Sequence, residues 1–169
     1  MKHTMKIAIV VMGLLVGTTA VSGFSQMMAF ENPLIGKQAP DFTLKNLSRV
    51  DVNYKKLAKD KNSILFFWAT WCPHCRQALK EFNGRKDEFQ RKNIEMILVD
   101  VGEEPQKVEH HVERNHINFD VLLDTDSAVG EEYDIIGYPT FVFVDKTGKI
   151  LDIQHELPED FEELFGMKK

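Results

Sequence analysis

Apolar and polar residues alternate in blocks along the chain from about residue 41 onward. Runs rich in β-branched and aromatic residues predict strands at 41–44, 50–52, 64–68, 94–100, 119–123, 140–144 and 149–153. Segments with apolar residues at helical spacing predict helices or helical turns at 54–59, 73–91, from 105 onward, 126–133 and 158–165. This alternation is typical of an α/β fold, and the turn at 145–148 predicts an antiparallel hairpin at its edge.

The start of the chain carries the pattern of a targeting segment. Lys2 and Lys6 precede a stretch, residues 7–30, that contains no charged residue and begins with a strongly apolar run. The pattern predicts a signal peptide or an N-terminal membrane anchor over residues 1–30, followed by one domain over residues 31–169. The basic residues ahead of the apolar run indicate export. We therefore expect a periplasmic or otherwise extracytoplasmic domain, soluble after cleavage or tethered to the membrane through residues 7–30.

Charge and composition exclude one class of partner. The net charge is −5 over 169 residues, and no segment concentrates Lys and Arg. Nucleic-acid binding needs a basic surface, so we expect no nucleic acid as a partner.

Cys72 and Cys75 are the two cysteines of the chain, and they follow the apolar strand predicted at 64–68. The helix predicted from Pro73 places Cys72 at a helix N-terminus, where unpaired backbone N–H groups and the helix dipole favour a thiolate. Cys75 follows one helical turn later, within bonding distance. The spacing therefore predicts a redox-active Cys72–Cys75 disulfide.

Two simpler interpretations of the cysteine pair are weaker. A structural bridge over so short a loop would contribute only about 2 kcal/mol. A zinc site would need a second cysteine pair or nearby histidines, and the histidine cluster His110, His111 and His116 is far downstream. We expect no metal and no cofactor other than the disulfide. Since an exported dithiol is prone to oxidation, a second, membrane-bound redox protein is expected to recycle it.

A second stretch, Gly137-Tyr138-Pro139-Thr140, immediately precedes an apolar strand. On composition alone, Pro139 is an ordinary proline at the start of a strand.

Taken together, the segments 67–76 (FWATWCPHCR) and 133–148 resemble the two active-site segments of thioredoxin-like proteins. The segment 36–44 (GKQAPDFTL) is similar to the N-terminal hairpin shared by TlpA/ResA-like oxidoreductases and peroxiredoxins, and 99–124 matches the insertion of the TlpA-like branch. The resemblance implies a thioredoxin-like fold, in which helices flank a central mixed sheet that carries the N-terminal hairpin and the TlpA-type insertion. It also implies a TlpA/ResA-like thiol-disulfide oxidoreductase.

The resemblance also assigns roles to residues. It implies that Cys72 is an exposed attacking thiol and Cys75 a buried resolving thiol. It implies that Pro139 is cis and lies beside the cysteine pair, and that the backbone of Tyr138 pairs with an extended client segment.

Three residues next to the cysteines complete the expected site. Trp71 is expected to contact the client together with Tyr138 and Pro139, and Pro73 and His74 are expected to tune the acidity of the thiols.

The chain departs from its relatives at two acidic positions. Thioredoxins carry a buried aspartate where this chain has Phe66, and ResA-like proteins carry a glutamate where it has Ala78. The group that moves the proton of Cys75 is therefore not identified by the sequence. Glu81 is near in sequence, but a lone polar helix residue is more often solvated.

His74 bears on whether the protein reduces or oxidises its clients, but does not decide it. Pro-His between the cysteines resembles the oxidant DsbA, and an imidazolium near Cys72 would make the protein more oxidising. Stabilising the reduced form by about 1.4 kcal/mol raises the reduction potential by about 30 mV, whereas the potentials of oxidant and reductant proteins differ by roughly 150 mV. The branch resemblance therefore favours a reductase or isomerase of protein clients, in cytochrome c maturation or periplasmic thiol homeostasis, over a DsbA-like oxidase.

Two other classes remain open. Peroxiredoxins need a threonine and a proline where this chain has Ala69 and Leu65, which disfavours a thiol peroxidase. A chaperone or docking module is the second alternative.

Overall fold

The computed structural model describes residues 32–167. The targeting segment predicted at residues 1–30 lies outside the described residues. Between residues 32 and 167, no helix has the length and apolar character needed to cross a membrane.

The seven predicted strands are all present in the described part of the chain. They are β1 (Thr43–Asn46), β2 (Asp51–Asn53), β3 (Asn62–Trp68), β4 (Ile94–Val101), β5 (Val121–Asp124), β6 (Thr140–Val144) and β7 (Ile150–Gln154). The α-helices are α1 (Tyr54–Leu57), α2 (Pro73–Phe82), α3 (Lys86–Arg91), α4 (Pro105–Arg114) and α5 (Ala128–Glu132).

The strands form one mixed sheet in the order β2-β1-β5-β4-β3-β6-β7. Strands β3, β4 and β5 are parallel; β6 pairs antiparallel with β3, and β7 pairs antiparallel with β6. At the other edge, β1 pairs antiparallel with both β2 and β5. The predicted α/β fold with an N-terminal hairpin and an edge hairpin is confirmed.

Helices cover both faces of the sheet, which explains the uninterrupted apolar run of β3. Trp68 and Phe66 face one side, where they pack in a core cluster with residues of α2, α3 and α4. Leu65 and Phe67 face the other side and pack with residues of α1 and α5. Both cysteines belong to the first cluster. We call these two sides of the sheet the α2 side and the α5 side.

The prediction of a single helix at 73–91 is wrong. Helix α2 ends at Phe82, a 3-10 turn spans Asn83–Arg85, and α3 follows. The Asn83 side chain donates to the carbonyl of His116 and accepts from the N–H of Asn118. This anchoring to a distant loop, together with the poor helix propensity of the Asn-Gly pair, interrupts the helix.

The last predicted helix is also shorter and tighter than expected. A 3-10 helix spans Phe161–Phe165 and ends at Gly166, whose φ of 69° is left-handed. Phe161 is fully buried and packs on Phe89 at a ring-centroid distance of 5.4 Å. The left-handed glycine ends the segment, and short helical segments at such ends often adopt 3-10 hydrogen bonding.

Candidate active site

Cys72 and Cys75 form a disulfide at the start of α2, with their Cα atoms 5.2 Å apart. Cys72 is the N-cap of the helix, and its Sγ accepts a hydrogen bond from the N–H of Cys75 at 3.1 Å. Pro73 occupies the first helical turn, where the missing N–H costs nothing. The sequence predicted this local arrangement, and it directs helix N-terminal N–H groups at the sulfur of Cys72.

The expectation of an exposed Cys72 is wrong for this disulfide form. Cys72 is 3% exposed and Cys75 is fully buried. The bond to Cys75 holds the sulfur of Cys72 against the core cluster that includes Trp68. The two cysteines are therefore almost equally buried while they are bonded to each other.

Trp71, which directly precedes Cys72, lies against Tyr138, which directly precedes Pro139. Trp71 is 59% exposed, and its ring meets the ring of Tyr138 edge-on at 5.9 Å. The Tyr138–Pro139 peptide bond is cis, as predicted. The resemblance thus implied the cis bond correctly, and the fold brings together Trp71 and Tyr138, which are more than sixty positions apart.

A groove of about 520 Å³ runs between α2 and the segment that contains Tyr138 and Pro139. Ten residues line it: His74, Gln77, Ala78, Glu81, Gly137, Tyr138, Pro139, His155, Glu156 and Leu157. His74 lies on this side of α2, next to the disulfide. Glu81 accepts a hydrogen bond from Gln77 at the exposed surface of the groove, whereas Cys75 faces the core.

His155 is a groove residue that the sequence analysis did not identify. Its Nδ1 lies 2.8 Å from the carbonyl oxygen of Pro139, so Nδ1–H donates to that oxygen. Thr140 Oγ1 donates to the carbonyl of Gly137 at 2.8 Å, which closes the turn that presents Pro139. No sequence motif marks His155, because its partner is brought to it only by the pairing of β6 with β7.

An ionised carboxylate supports the turn before Cys72. Glu103 Oε2 accepts from the N–H of Thr70 at 2.5 Å, and Glu103 Oε1 accepts from Thr70 Oγ1 at 2.8 Å. Lys107 Nζ lies 2.5 Å from Glu103 Oε1. Burial works to raise the pKa of Glu103, but the bonds from Lys107 and Thr70 outweigh it and hold the pKa below its usual value.

Asp100, at the end of β4, is a second functional candidate that the sequence analysis missed. It is 1% exposed, and neither of its carboxylate oxygens has a hydrogen-bond partner among residues 32–167. Burial raises its pKa to about 9, and the negative charge of Glu103 adds to the effect. The available signal was periodicity, since Met96, Leu98 and Asp100 occupy alternate positions of one strand and share its inward face.

Comparisons with known proteins identify the family. The family model described as the AhpC/TSA family matches residues 35–153. Thiol-disulfide oxidoreductase ResA of Bacillus cereus (strain ATCC 10987 / NRS 248) is 31% identical over 137 residues, which cover 80% of this chain and 77% of the relative. The chain belongs to the AhpC/TSA family. ResA of Bacillus subtilis (strain 168) is 30% identical over 118 residues, covering 70% of this chain and 65% of the relative.

Solved structures give the same result for the fold. A structure described as a putative thiol:disulfide interchange protein DsbE from Chlorobium tepidum has a TM-score of 0.70 at 25% identity, covering 77% of this chain and 94% of that chain. StoA from Bacillus subtilis has a TM-score of 0.64 at 25% identity, covering 75% of this chain and 96% of that chain. With a cysteine pair in CxxC spacing at the start of α2, this ResA-like protein is a thiol-disulfide oxidoreductase of the thioredoxin-like superfamily.

Proposed function

We propose that this protein works outside the cytoplasm as a reductase or isomerase of disulfides in client proteins, and that a membrane redox partner returns it to the dithiol form. The observation that carries the proposal is the Cys72–Cys75 pair at a helix N-terminus beside an open groove. Disulfides formed in cytochrome c maturation or in general periplasmic thiol homeostasis are the proposed substrates, as the resemblance to TlpA/ResA-like proteins implies.

The two cysteines have different roles in the proposed exchange. The Cys72 thiolate, favoured by the N–H of Cys75 and the start of α2, attacks one sulfur of the client disulfide and forms a mixed disulfide. The first client thiolate leaves. Cys75 then attacks Cys72 Sγ, which releases the second client thiolate and forms the intramolecular disulfide. Two electrons pass from the protein to the client.

The groove supplies the proposed binding surface for the client. Tyr138 in the groove and the exposed Trp71 packed against it offer aromatic contacts, and Pro139, which also lines the groove, has no backbone N–H to donate. We propose that the backbone of Tyr138 pairs with an extended client segment, as the resemblance to thioredoxin-like proteins implies. His74 lines the same groove, and we propose that it and Pro73 adjust the stability of the Cys72 thiolate.

The equilibrium reduction potential against glutathione tests the direction. A reductase is expected near the value of thioredoxin, about −270 mV, and an oxidase near that of DsbA, about −120 mV. A potential in the DsbA range would overturn the proposed direction and support the oxidase alternative, which the Pro73-His74 pair between the cysteines favours. Insulin reduction measured beside peroxide consumption distinguishes the proposed activity from that of a thiol peroxidase.

Trapping identifies the clients. A Cys75→Ser variant lacks the resolving thiol and should accumulate mixed disulfides on Cys72, whereas the matched Cys72→Ser variant should accumulate none. The Cys72→Ser, Cys75→Ser double variant tests the chaperone alternative, because holdase activity that survives in it would not depend on redox chemistry.

Export is tested separately. We propose that residues 1–30 direct the protein out of the cytoplasm without contributing to the domain. A chain that starts at residue 31 should be soluble and reduce insulin in vitro, and should remain inside cells that export the full chain. Loss of folding on this truncation would contradict the proposed domain boundary.

A further inference from the structure

The side chain of His155 binds the carbonyl of Pro139 at the point where the pairing of β6 with β7 has ended. The last pair of these strands is Phe141 with Gln154. Pro139 lies one position before β6, and His155 directly follows β7. Among residues 32–167, no backbone N–H from a loop or turn donates to the Pro139 carbonyl. The Nδ1–H of His155 does, with 2.8 Å between nitrogen and oxygen.

This bond does not depend on the charge of the imidazole. A carbonyl oxygen can only accept, so Nδ1 carries a proton in the neutral ring as well as in the charged ring. Protonation adds a donor at Nε2 and leaves Nδ1–H in place. The other ionisable side chains that line the groove are those of His74, Glu81, Tyr138 and Glu156. They can change the charge of the ring without removing this contact.

A second side-chain bond fixes the same segment two residues earlier. Thr140 Oγ1 donates to the carbonyl of Gly137 at 2.8 Å. Because its one hydroxyl proton is used there, Thr140 Oγ1 can only accept from the Nδ1–H of His155, which lies 3.3 Å away. The carbonyls on both sides of Tyr138 are thus held by side chains, one from β6 and one from the residue after β7.

The backbone groups of Tyr138 are left without a partner. Among the described residues, neither its N–H nor its carbonyl makes a hydrogen bond. Under the proposed function, these are the groups with which an extended client segment pairs. The two side-chain bonds that flank Tyr138 therefore determine how its N–H and carbonyl are presented to the client.

His155 is exposed on the groove and is not part of the core. Its ring contributes little to the packing that holds the sheet and helices together. Replacing it should leave the fold intact, so an effect on clients can be separated from an effect on folding.

We propose that His155 is a positioning residue for client binding. Its Nδ1–H holds the Pro139 carbonyl, and thereby the backbone of Tyr138, in the conformation with which an extended polypeptide pairs. The inference rests on the proposed exchange with protein clients and concerns their binding alone. His155 changes neither the reactivity of Cys72 nor its exchange with a disulfide that has no peptide backbone.

Three substitutions separate the donor from the ring. Asparagine carries its N–H donor as many bonds from the backbone as Nδ1 of histidine, so His155→Asn should retain the contact with Pro139. His155→Gln places its donor one bond further out, at the distance of Nε2, and His155→Leu has no donor. Client binding should therefore survive in the asparagine variant alone.

The measurement is single-turnover oxidation of each reduced protein by an excess of a synthetic, unstructured peptide that carries one disulfide, followed by tryptophan fluorescence. In His155→Leu and His155→Gln, the half-saturating peptide concentration should rise by roughly 2- to 10-fold, the factor that corresponds to one hydrogen bond, while the limiting rate is unchanged. His155→Asn should stay close to wild type. With hydroxyethyl disulfide, all four proteins should react at the same rate.

An unchanged half-saturating concentration in His155→Leu would overturn the proposal. An equal loss in His155→Asn and His155→Leu would also overturn it, as would a loss that extends to hydroxyethyl disulfide, because the side chain would then act through the fold or the cysteines. A wild-type protein that reacts with hydroxyethyl disulfide but not with the peptide would refute the proposed function, and this inference with it. If the protein proves to be an oxidase, the same comparison applies to the oxidised protein with the dithiol peptide and 2-mercaptoethanol.

A second measurement needs no variant. Long-range proton–nitrogen NMR spectra of the wild-type protein, at a pH where its histidines are neutral, show which ring nitrogen carries the proton. A proton on Nδ1 of His155 would support the proposal. An unprotonated Nδ1 would overturn it, because such a nitrogen cannot donate to the Pro139 carbonyl.

Discussion

Thr70 donates two hydrogen bonds to Glu103, one from its backbone N–H at 2.5 Å and one from its hydroxyl at 2.8 Å. Both residues are buried, and they are 33 positions apart in the chain. Arg76 adds a bond from its guanidinium to the carbonyl of Thr70 at 3.1 Å. The turn that carries Cys72 is thus fixed from both sides by polar contacts.

Replacing Thr70 by valine should destabilise the oxidised protein by about 1–3 kcal/mol, because a buried carboxylate of Glu103 loses one donor while the shape of the side chain is kept. Urea unfolding of both proteins measures this difference. The control is Lys45→Met, which removes an exposed ion pair with Asp51 and should change stability by less than about 1 kcal/mol. Equal stability of the Thr70 variant and wild type would show that the turn does not depend on this bond.

Cys72 should be the first thiol to react. In the reduced domain at near-neutral pH, limiting alkylation with iodoacetamide should label Cys72 well ahead of Cys75, because Cys72 is the N-cap and its sulfur accepts a hydrogen bond from the N–H of Cys75, which favours the thiolate. Mass spectrometry of the labelled peptides measures the ratio, with the two single Cys→Ser variants as references. Preferential labelling of Cys75 would reverse the assigned roles.

Replacing His74 by glutamate should lower the reduction potential by some tens of millivolts. The change removes a side chain able to stabilise the Cys72 thiolate and adds a negative charge that opposes it, so the reduced form loses stability. Equilibration with glutathione measures the potential. Gln77→Glu, one helical turn further along the same groove, should give a smaller shift. If the two shifts are equal, His74 has no specific effect on Cys72.

The stability of the disulfide form should fall as pH rises. Folded Asp100 keeps its proton up to about pH 9, whereas in the unfolded chain it is lost near the ordinary value of 3.8. Between these values the folded state binds more protons, so the free energy of unfolding decreases with pH, by up to about 1.4 kcal/mol per pH unit. Urea unfolding from pH 4 to pH 9 should show this slope in wild type.

The same titration in Asp100→Asn should lack that component, and Asp126→Asn, which changes an exposed carboxyl, should keep it. Parallel curves for wild type and Asp100→Asn would show that Asp100 ionises alike in the folded and unfolded states.

The sequence alone determined the features that depend on local pattern. The apolar run of β3 predicted a strand buried on both faces, and the spacing of Cys72 and Cys75 around Pro73 predicted a disulfide at a helix N-terminus. Both follow from residues within a few positions of one another. Resemblance to the TlpA/ResA-like branch added the cis bond before Pro139, which no local pattern could supply.

The tertiary structure decided what depends on distant partners. The break at Asn83 follows from bonds to His116 and Asn118, and the enclosure of Cys72 follows from the core cluster around Trp68. The most consequential case is Asp100. Its sequence position shows only an acid at the end of a strand. Its raised pKa follows from burial and from the neighbouring negative charge of Glu103. Hydrogen-bond satisfaction and burial are properties of the packed chain, because they are set by groups that folding brings together from separate segments.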